Sequence, residues 1–409
     1  MNREEIDHLE LPEDWEVVPF EVFLQPVRSC APKVLARDYR SEGRFPIVDQ
    51  GQGEIAGYSD DEGAVISDSL PVIVFGDHTR LFKYVGAPFA AGADGTKLLS
   101  AGGRVYPRFA FYHCLYLKIP SKGYSRHYRA LAEQLFVRPP LPEQKKIAAM
   151  MRKVQEAVEV EEALAHNARD LKKSLMRRLF TRGLRDEPVK ETEIGPVPES
   201  WEVVHLHEAV KARGGSPFPH KHQGRTEGDY PFYKVSDMNL PGNEVFMSRS
   251  NHRLDSELAA ELGAKPFPKD TIVFPKVGGA LLTNKKRRLT CDSLIDNNMM
   301  GVVSLDHRRC SPDYLHQWFE TLDLRVLANP GPLPSLNNSR LYECVMPLPK
   351  PTDQQQIARI LRVVDEKIAV HEAKRDAYRD LFKTLLHKLM TAEIRVHELD
   401  IETTEEGAA

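Results

Sequence analysis

One stretch of this chain occurs twice. Residues 141–181 align without a gap on residues 351–391, with 16 identities in 41 positions, among them Gln144/Gln354, Ile147/Ile357, Arg152/Arg362, Asp170/Asp380 and Leu179/Leu389. A shorter match, Pro12-Glu13-Asp14-Trp15-Glu16-Val17-Val18 with Pro198-Glu199-Ser200-Trp201-Glu202-Val203-Val204, opens each half. Between the matched ends lie segments of about 120 and 144 residues that resemble each other far less. An internal duplication decides the architecture before any single element is read, and the plan here is variable domain, repeat, variable domain, repeat.

The repeated part predicts a long helix. Each copy follows a proline cluster (Pro139, Pro140, Pro142; Pro347, Pro349, Pro351) and then runs for about 40 residues without glycine or further proline. One row of side chains recurs at alternating steps of four and three: Ile147, Met151, Val154, Val158, Glu161, Ala165, Ala168, Lys172, Leu175, Leu179 in the first copy. The second reads Ile357, Leu361, Val364, Ile368, His371, Arg375, Tyr378, Phe382, Leu385, Leu389. A mean spacing of 3.5 is the seam of a coiled coil. Both rows turn polar in the middle, where polar contacts are expected. An exposed seam of this length would aggregate, so the helices should pack on each other, antiparallel because the chain must return; pairing between chains is the alternative.

At roughly 150 residues per domain, 409 residues allow two or three domains, and 41% apolar content excludes disorder. Seven acids and one base in residues 1–16 argue against a secretory signal, and no apolar stretch approaches the ~20 residues of a membrane span. Five scattered cysteines, never spaced as CxxC, fit a reducing cytoplasm. The formal charge of -3 conceals a basic body with an acidic N-terminus, joint (185–204) and tail. That pattern suits nucleic acid and equally a solvated charged surface.

Short β-branched or aromatic runs at 71–75, 109–112 and 271–274 predict strands, and 311–327 and 126–135 predict short helices. The expected fold class is therefore α+β: two mixed α/β domains separated by two long antiparallel coiled-coil helices, a pseudo-twofold duplication. The expected boundaries are 1–138 and 185–348 for the domains, 139–184 and 349–392 for the helices, and 393–409 for an acidic tail.

Catalytic signatures are missing from the sequence. Gly51-Gln52-Gly53-Glu54-Ile55-Ala56-Gly57 has its third glycine one place late for a dinucleotide loop and reads as a turn. There is no Walker A lysine loop, and Pro139-Pro140 lacks the flanks of an amino-methyltransferase motif. His205/His207 and His220/His222 could each share a strand face, but no cysteine or carboxylate cluster completes a metal shell, so surface histidines are expected. Asp365-Glu366-Lys367 is read as helix surface charge. Residues 271–291 hold five bases and no acid: Lys276, Lys285, Lys286, Arg287 and Arg288, with Gly278-Gly279 and Asn284 among them. Such a loop can present cations and amides to phosphates, or be a solvated hairpin tip. Thr79, Arg80 and Lys83 lie in a second cationic and aromatic run, and Ser125, Arg126, His127 and Tyr128 follow Tyr124 in a third.

The layout resembles the DNA-specificity subunit of type I restriction-modification systems. The resemblance covers nearly the whole chain and rests on the openings at 11–15 and 197–201 and on the repeat starts Pro139-Pro140-Leu141-Pro142-Glu143-Gln144 and Pro349-Lys350-Pro351-Thr352-Asp353-Gln354. Lys350 and Thr352 depart mildly from the usual pattern, which touches only a helix entry. Segments 74–80, 123–128, 233–239 and 296–301 are similar to stretches recurring in such recognition domains; the second half thereby adds Lys234, Ser236, Asp237 and Asn239 as candidate DNA contacts. Lys97, Asn337, Asn338 and Arg340 complete the candidate set. The resemblance implies a non-catalytic subunit of a phage-defence complex that reads a bipartite, asymmetric double-stranded DNA target, one part per domain. It also implies two methylating subunits and two restriction subunits as partners, to which S-adenosylmethionine, ATP and Mg2+ belong. A protein-interaction scaffold of a related complex is the alternative.

Overall fold

The computed structural model describes residues 1–93, 95–121, 123 and 125–402; Tyr124 and tail residues 403–409 lie outside it. Both repeats form single helices, Leu141–Arg182 and Pro351–Met390. The chain divides into two units, Met1–Ala163 with His371–Ala409, and Leu164–Val370. Each unit thus holds one variable domain and half of each long helix. Among the described residues no helix is long and apolar enough to cross a membrane.

The helices run antiparallel within each unit. In the first, Ile147 and Met151 share a core with Leu386, Leu389 and Met390, while Glu161 meets His371 at 2.6 Å. In the second, Leu179 packs with Ile357 and Leu361, and Lys172 pairs with Asp365 at 2.6 Å. Burial along the expected seam is uneven. Ile147, Met151, Leu179, Ile357, Leu361, Val364 and Leu389 are buried, and Val154, Val158, Leu175, Ile368, Tyr378 and Leu385 are half-buried. Its polar middle is made of ion pairs: Glu161 also lies 3.8 Å from Lys374, and Glu162 lies 3.2 Å from Arg379. Polar groups on a seam cost stability and fix register. Asp365 is not the surface charge expected of it, because Lys172 and the side-chain amide of Gln317, at 2.9 Å, both engage its carboxylate.

The first variable domain contains β1 (Glu16–Pro19), β2 (Leu24–Pro26), β3 (Phe45–Val48), β4 (Gly57–Ser59), β5 (Val65–Ile66), β6 (Val72–Gly76), β7 (Phe82–Val85), β8 (Phe89–Ala91), β9 (Thr96–Ala101) and β10 (Leu135–Arg138). They form sheets in the orders β2-β9-β6-β7 and β4-β3-β8-β5, plus the antiparallel pair β1-β10. The second unit contains β11 (Val189–Thr192), β12 (Gly195–Pro198), β13 (Glu202–His205), β14 (Val210–Gly214), β15 (Tyr230–Tyr233), β16 (Phe246–Met247), β17 (Arg253–Leu254), β18 (Ile272–Pro275), β19 (Arg287–Leu289), β20 (Leu294–Ile295), β21 (Met299–Ser304) and β22 (Val345–Leu348). Its sheets run β14-β21-β18-β19-β16 and β17-β15-β20, with pairs β13-β22 and β11-β12. Strand for strand, β2-β9-β6-β7 corresponds to β14-β21-β18-β19. The parallel contact of β3 with β8 likewise recurs as β15 with β20. The duplication therefore extends through the segments whose sequences have diverged.

Several local expectations are corrected. Residues 109–112 form no strand but part of the helix Pro107–Tyr116, in which Phe109 through Cys114 are all buried. A short apolar run does not distinguish a buried strand from a buried helix; Pro107 in the first helical turn was the usable signal. Residues 126–135 split into the helix Tyr128–Ala132 and the start of β10. His205 ends β13 while His207 lies in the turn Leu206–Ala209, and His220 and His222 lie in a 3-10 turn, so neither pair shares a strand face. The acidic joint is folded as the hairpin β11-β12.

The repeat's glutamines explain their identity. Gln144 is fully buried; its amide donates to the carbonyls of Pro139 at 2.7 Å and Arg104 at 3.0 Å, and its oxygen accepts the Tyr106 N–H at 2.7 Å. Gln354 does the same with Pro349 at 2.8 Å, Arg309 at 2.7 Å and the Ser311 N–H at 2.8 Å. Each thereby ties a long helix to the N-cap of the domain helix beside it, Pro107–Tyr116 or Pro312–Thr321. A related clasp follows each long helix. Arg395 bonds buried Glu143 at 2.6 Å and Asp14 at 2.8 Å, and Trp15 donates to Glu143 at 3.1 Å. Its counterpart 210 positions earlier, Arg185, lies 3.7 Å from Asp353. The side chain there is one methylene shorter, and among the described residues the Trp201 Nε1 finds no partner. Replacing Gln354 by Leu leaves buried backbone groups unbonded and should lower stability by about 2–4 kcal/mol. Gln144→Leu should cost a similar amount, and a urea midpoint unchanged in both variants would refute this role.

Candidate DNA interface

In the first domain two motifs about fifty residues apart meet. Asp77, just past β6, is buried, and its carboxylate accepts the backbone N–H groups of His127 at 2.8 Å and Tyr128 at 2.7 Å. The His127 ring, also buried, bonds the Asp77 carbonyl at 3.0 Å. His127 is therefore internal scaffolding, and what it holds outward is exposed Arg126 and half-buried Ser125 and Tyr128. Thr79 donates its hydroxyl to the Gln50 carbonyl at 2.7 Å. Arg80 adopts a positive φ of 63° and donates to the Ile119 carbonyl at 2.9 Å. Lys83 is buried against the Gly53 carbonyl at 2.5 Å, with Asp49 at 3.9 Å, and does not face solvent. Lys97 keeps its ammonium 5.6 Å from the Tyr128 ring centroid.

In the second domain, Asp237 is fully buried; it accepts the Lys234 backbone N–H at 2.8 Å and the Asn251 amide at 2.9 Å, closing the 3-10 turn Val235–Asn239. Lys234 reaches Gln223 at 3.0 Å, and Ser236 is exposed. Exposed Asn239 accepts a hydrogen bond from the Lys285 ammonium, which joins two candidate segments. Lys276 is half-buried beyond the end of β18. Asn284, at φ 56°, accepts the Leu324 N–H at 2.9 Å. Asn337 caps the turn of Arg340, Asn338 donates to the Ala212 carbonyl at 3.0 Å, and Arg340 pairs with Glu343 at 2.8 Å.

The basic run at 285–288 is not a uniform solvated tip. Lys286 is 2% exposed and Arg288, in β19, is held between Asp270 and Asp313. Burial lowers the pKa of Lys286, opposed by Glu320 and Asp323, and lowers that of Arg287, opposed by Glu320 and Glu244. Desolvation raises Glu320 in turn, against the attraction of Lys286, Lys172 and Arg287. The stretch is divided between an internal ionic group that reaches the first long helix through Lys172 and an outward Lys285. Sequence spacing gave no sign of that division, because partners such as Asp313, Glu320 and Lys172 lie on the helix Pro312–Thr321 and on the repeat.

Known proteins similar to this chain point in one direction. Residues 198–377 match the family model of the type I restriction modification DNA specificity domain. Along 98% of its length the chain is 21% identical to the type I restriction enzyme MjaVIII specificity subunit of Methanocaldococcus jannaschii, covering 97% of that protein. It is 21% identical to the EcoR124I/EcoR124II specificity subunit of Escherichia coli over 85% of this chain and 89% of that one. Its fold is similar to that of the type I restriction-modification S subunit from M. genitalium, with a TM-score of 0.63, 15% identity, and coverage of 93% of this chain and 98% of that one. Residues 198–377 thus carry the type I specificity domain, and along nearly its whole length the chain is similar to specificity subunits of type I restriction enzymes.

Two predictions follow from the placement of these charges. Lys276→Gln with Lys285→Gln should flatten the dependence of log affinity on log salt by up to about two, with unfolding unchanged, whereas Lys286→Met should lower stability by about 2 kcal/mol. Equal salt slopes for wild type and the double variant would remove both lysines from the interface. His316, buried on the helix Pro312–Thr321, has its pKa pushed down to about 4 by burial, then by Arg288 and Lys172. Since the unfolded imidazole takes up its proton near 6.5, stability is lost as pH falls from there toward 4, at up to about 1.4 kcal/mol per unit. His316→Gln should remove that share of the acid slope in urea titrations; an identical slope would contradict the assignment.

Proposed function

We propose that this subunit reads a bipartite, asymmetric DNA sequence, the domain at 1–138 taking one part and that at 185–348 the other. The spacer helices at 139–184 and 349–392 set the number of unread base pairs. The observation that carries this reading is the strand-for-strand duplication of two domains that differ in surface chemistry. The same frame presents Arg126, Tyr128 and Lys97 in one domain, and Ser236, Asn239, Lys276 and Lys285 in the other. Like frames with unlike faces suit two different half-sites. Helices of 42 and 40 residues, each about 60 Å at 1.5 Å per residue, are long enough to act as a ruler.

The partners in this reading are two methylating subunits, docked on the helices and adjoining domain surfaces, and two restriction subunits recruited by that assembly in the cytoplasm. S-adenosylmethionine, ATP and Mg2+ would be held by those partners. Of the candidate contacts, those facing outward or half-buried are proposed to touch DNA, while Lys83, His127, Asp237, Lys286 and Arg288 position them.

Mapping methylated adenines in genomic DNA tests the proposal. Removing one turn from both long helices should change the spacer and leave the bases of each half-site as they were. A change in base preference at constant spacing would overturn the division of labour.

A further inference from the structure

We propose that a basic cleft in the first domain, between the Arg28–Lys33 segment and the start of β9, is a subsite for one phosphodiester of the DNA backbone. The inference rests on the DNA-reading function above and adds Arg28 and Lys33, which no sequence motif marked, to Lys97 and Tyr128. The cleft has a volume of about 410 Å³, and its lining includes Arg28, Ser29, Lys33, Lys97 and Tyr128. Among the described residues lining it there is no acid.

Three cations from two parts of the chain line it, Arg28 and Lys33 from one segment and Lys97 from β9. The Lys33 ammonium is held by the Thr96 carbonyl, immediately before Lys97, and the Lys97 ammonium lies over the Tyr128 ring. Tyr128 is itself fixed through its N–H to buried Asp77. None of Arg28, Lys33 and Lys97 has an ion-pair partner among the described residues, although Arg40 and Arg44 of the same domain pair with Asp60 and Glu62. Desolvation and the charge of Lys97 both lower the pKa of Lys33. Two ammonium groups held near one another without a carboxylate repel, and an anion between them relieves that repulsion. An unesterified phosphate offers the same chemistry, so the test must separate it from the backbone.

The experiment uses the full-length chain with a duplex containing its methylated site, comparing Lys33→Gln, Lys97→Gln, the double variant and the two Lys→Arg replacements. A shared phosphate predicts that each Gln variant flattens the log-log salt slope by about one and weakens binding about tenfold, and that the double variant goes little further. The Arg variants should bind as wild type, and the mapped bases should not change, because phosphate contacts carry no sequence information. Unchanged slopes and affinities in the Gln variants, with wild type binding normally, would overturn the subsite alone. Failure of the wild type to prefer its own site would instead overturn the DNA-reading function. Should inorganic phosphate raise the melting temperature of wild type but not of the variants, while all bind DNA equally, the cleft would be a free-phosphate site and the backbone assignment wrong.

Discussion

Everything in this chain is organised by one apolar row that cannot be left in water. Ile147 to Leu179 and Ile357 to Leu389 form two seams of the same spacing, and each buries the other in opposite direction. Dispersion and hydrophobic burial at the ends of the row supply the attraction, while Glu161 with His371, and Lys172 with Asp365, supply the register. A purely apolar row would be stickier and less particular about alignment. For a spacer, alignment is what matters, since a slip of one turn would move whatever the helix carries by about 5.4 Å.

Much of this frame was readable from the sequence because its signals are periodic and repeated. The seam, the helix starts after prolines and the polar interruption all follow from spacing alone. Internal symmetry in the domains was not readable, since strand order is kept while most of the sequence around it has changed: Val72 to Phe75 and Ile272 to Pro275 are corresponding central strands set in segments that otherwise resemble each other little. The run 109–112 shows the limit from another side, because four consecutive apolar residues suit any fully buried element.

The candidate interface was legible only as a population of residues. Composition located the basic and aromatic runs, but which of their members face solvent depends on tertiary partners. Lys286 is buried with its ammonium on the Asn284 carbonyl, and His127 turns toward the Asp77 backbone, fifty residues away. Arg28 and Lys33 show the converse. Neither belongs to a dense basic run, yet folding sets both around one cleft with Lys97.

The short ladders that bound each variable domain have an evolutionary consequence. The chain enters the first domain along β1 and leaves along β10, with Glu16 opposite Arg138; it enters the second along β13 and leaves along β22, with Glu202 opposite Leu348. Entry and exit are thus neighbours, stitched together at the doorstep of the helix. Anything folded between them hangs from two points that are neighbours in space, so its sequence can diverge without moving the ends of the helices to which it is tied.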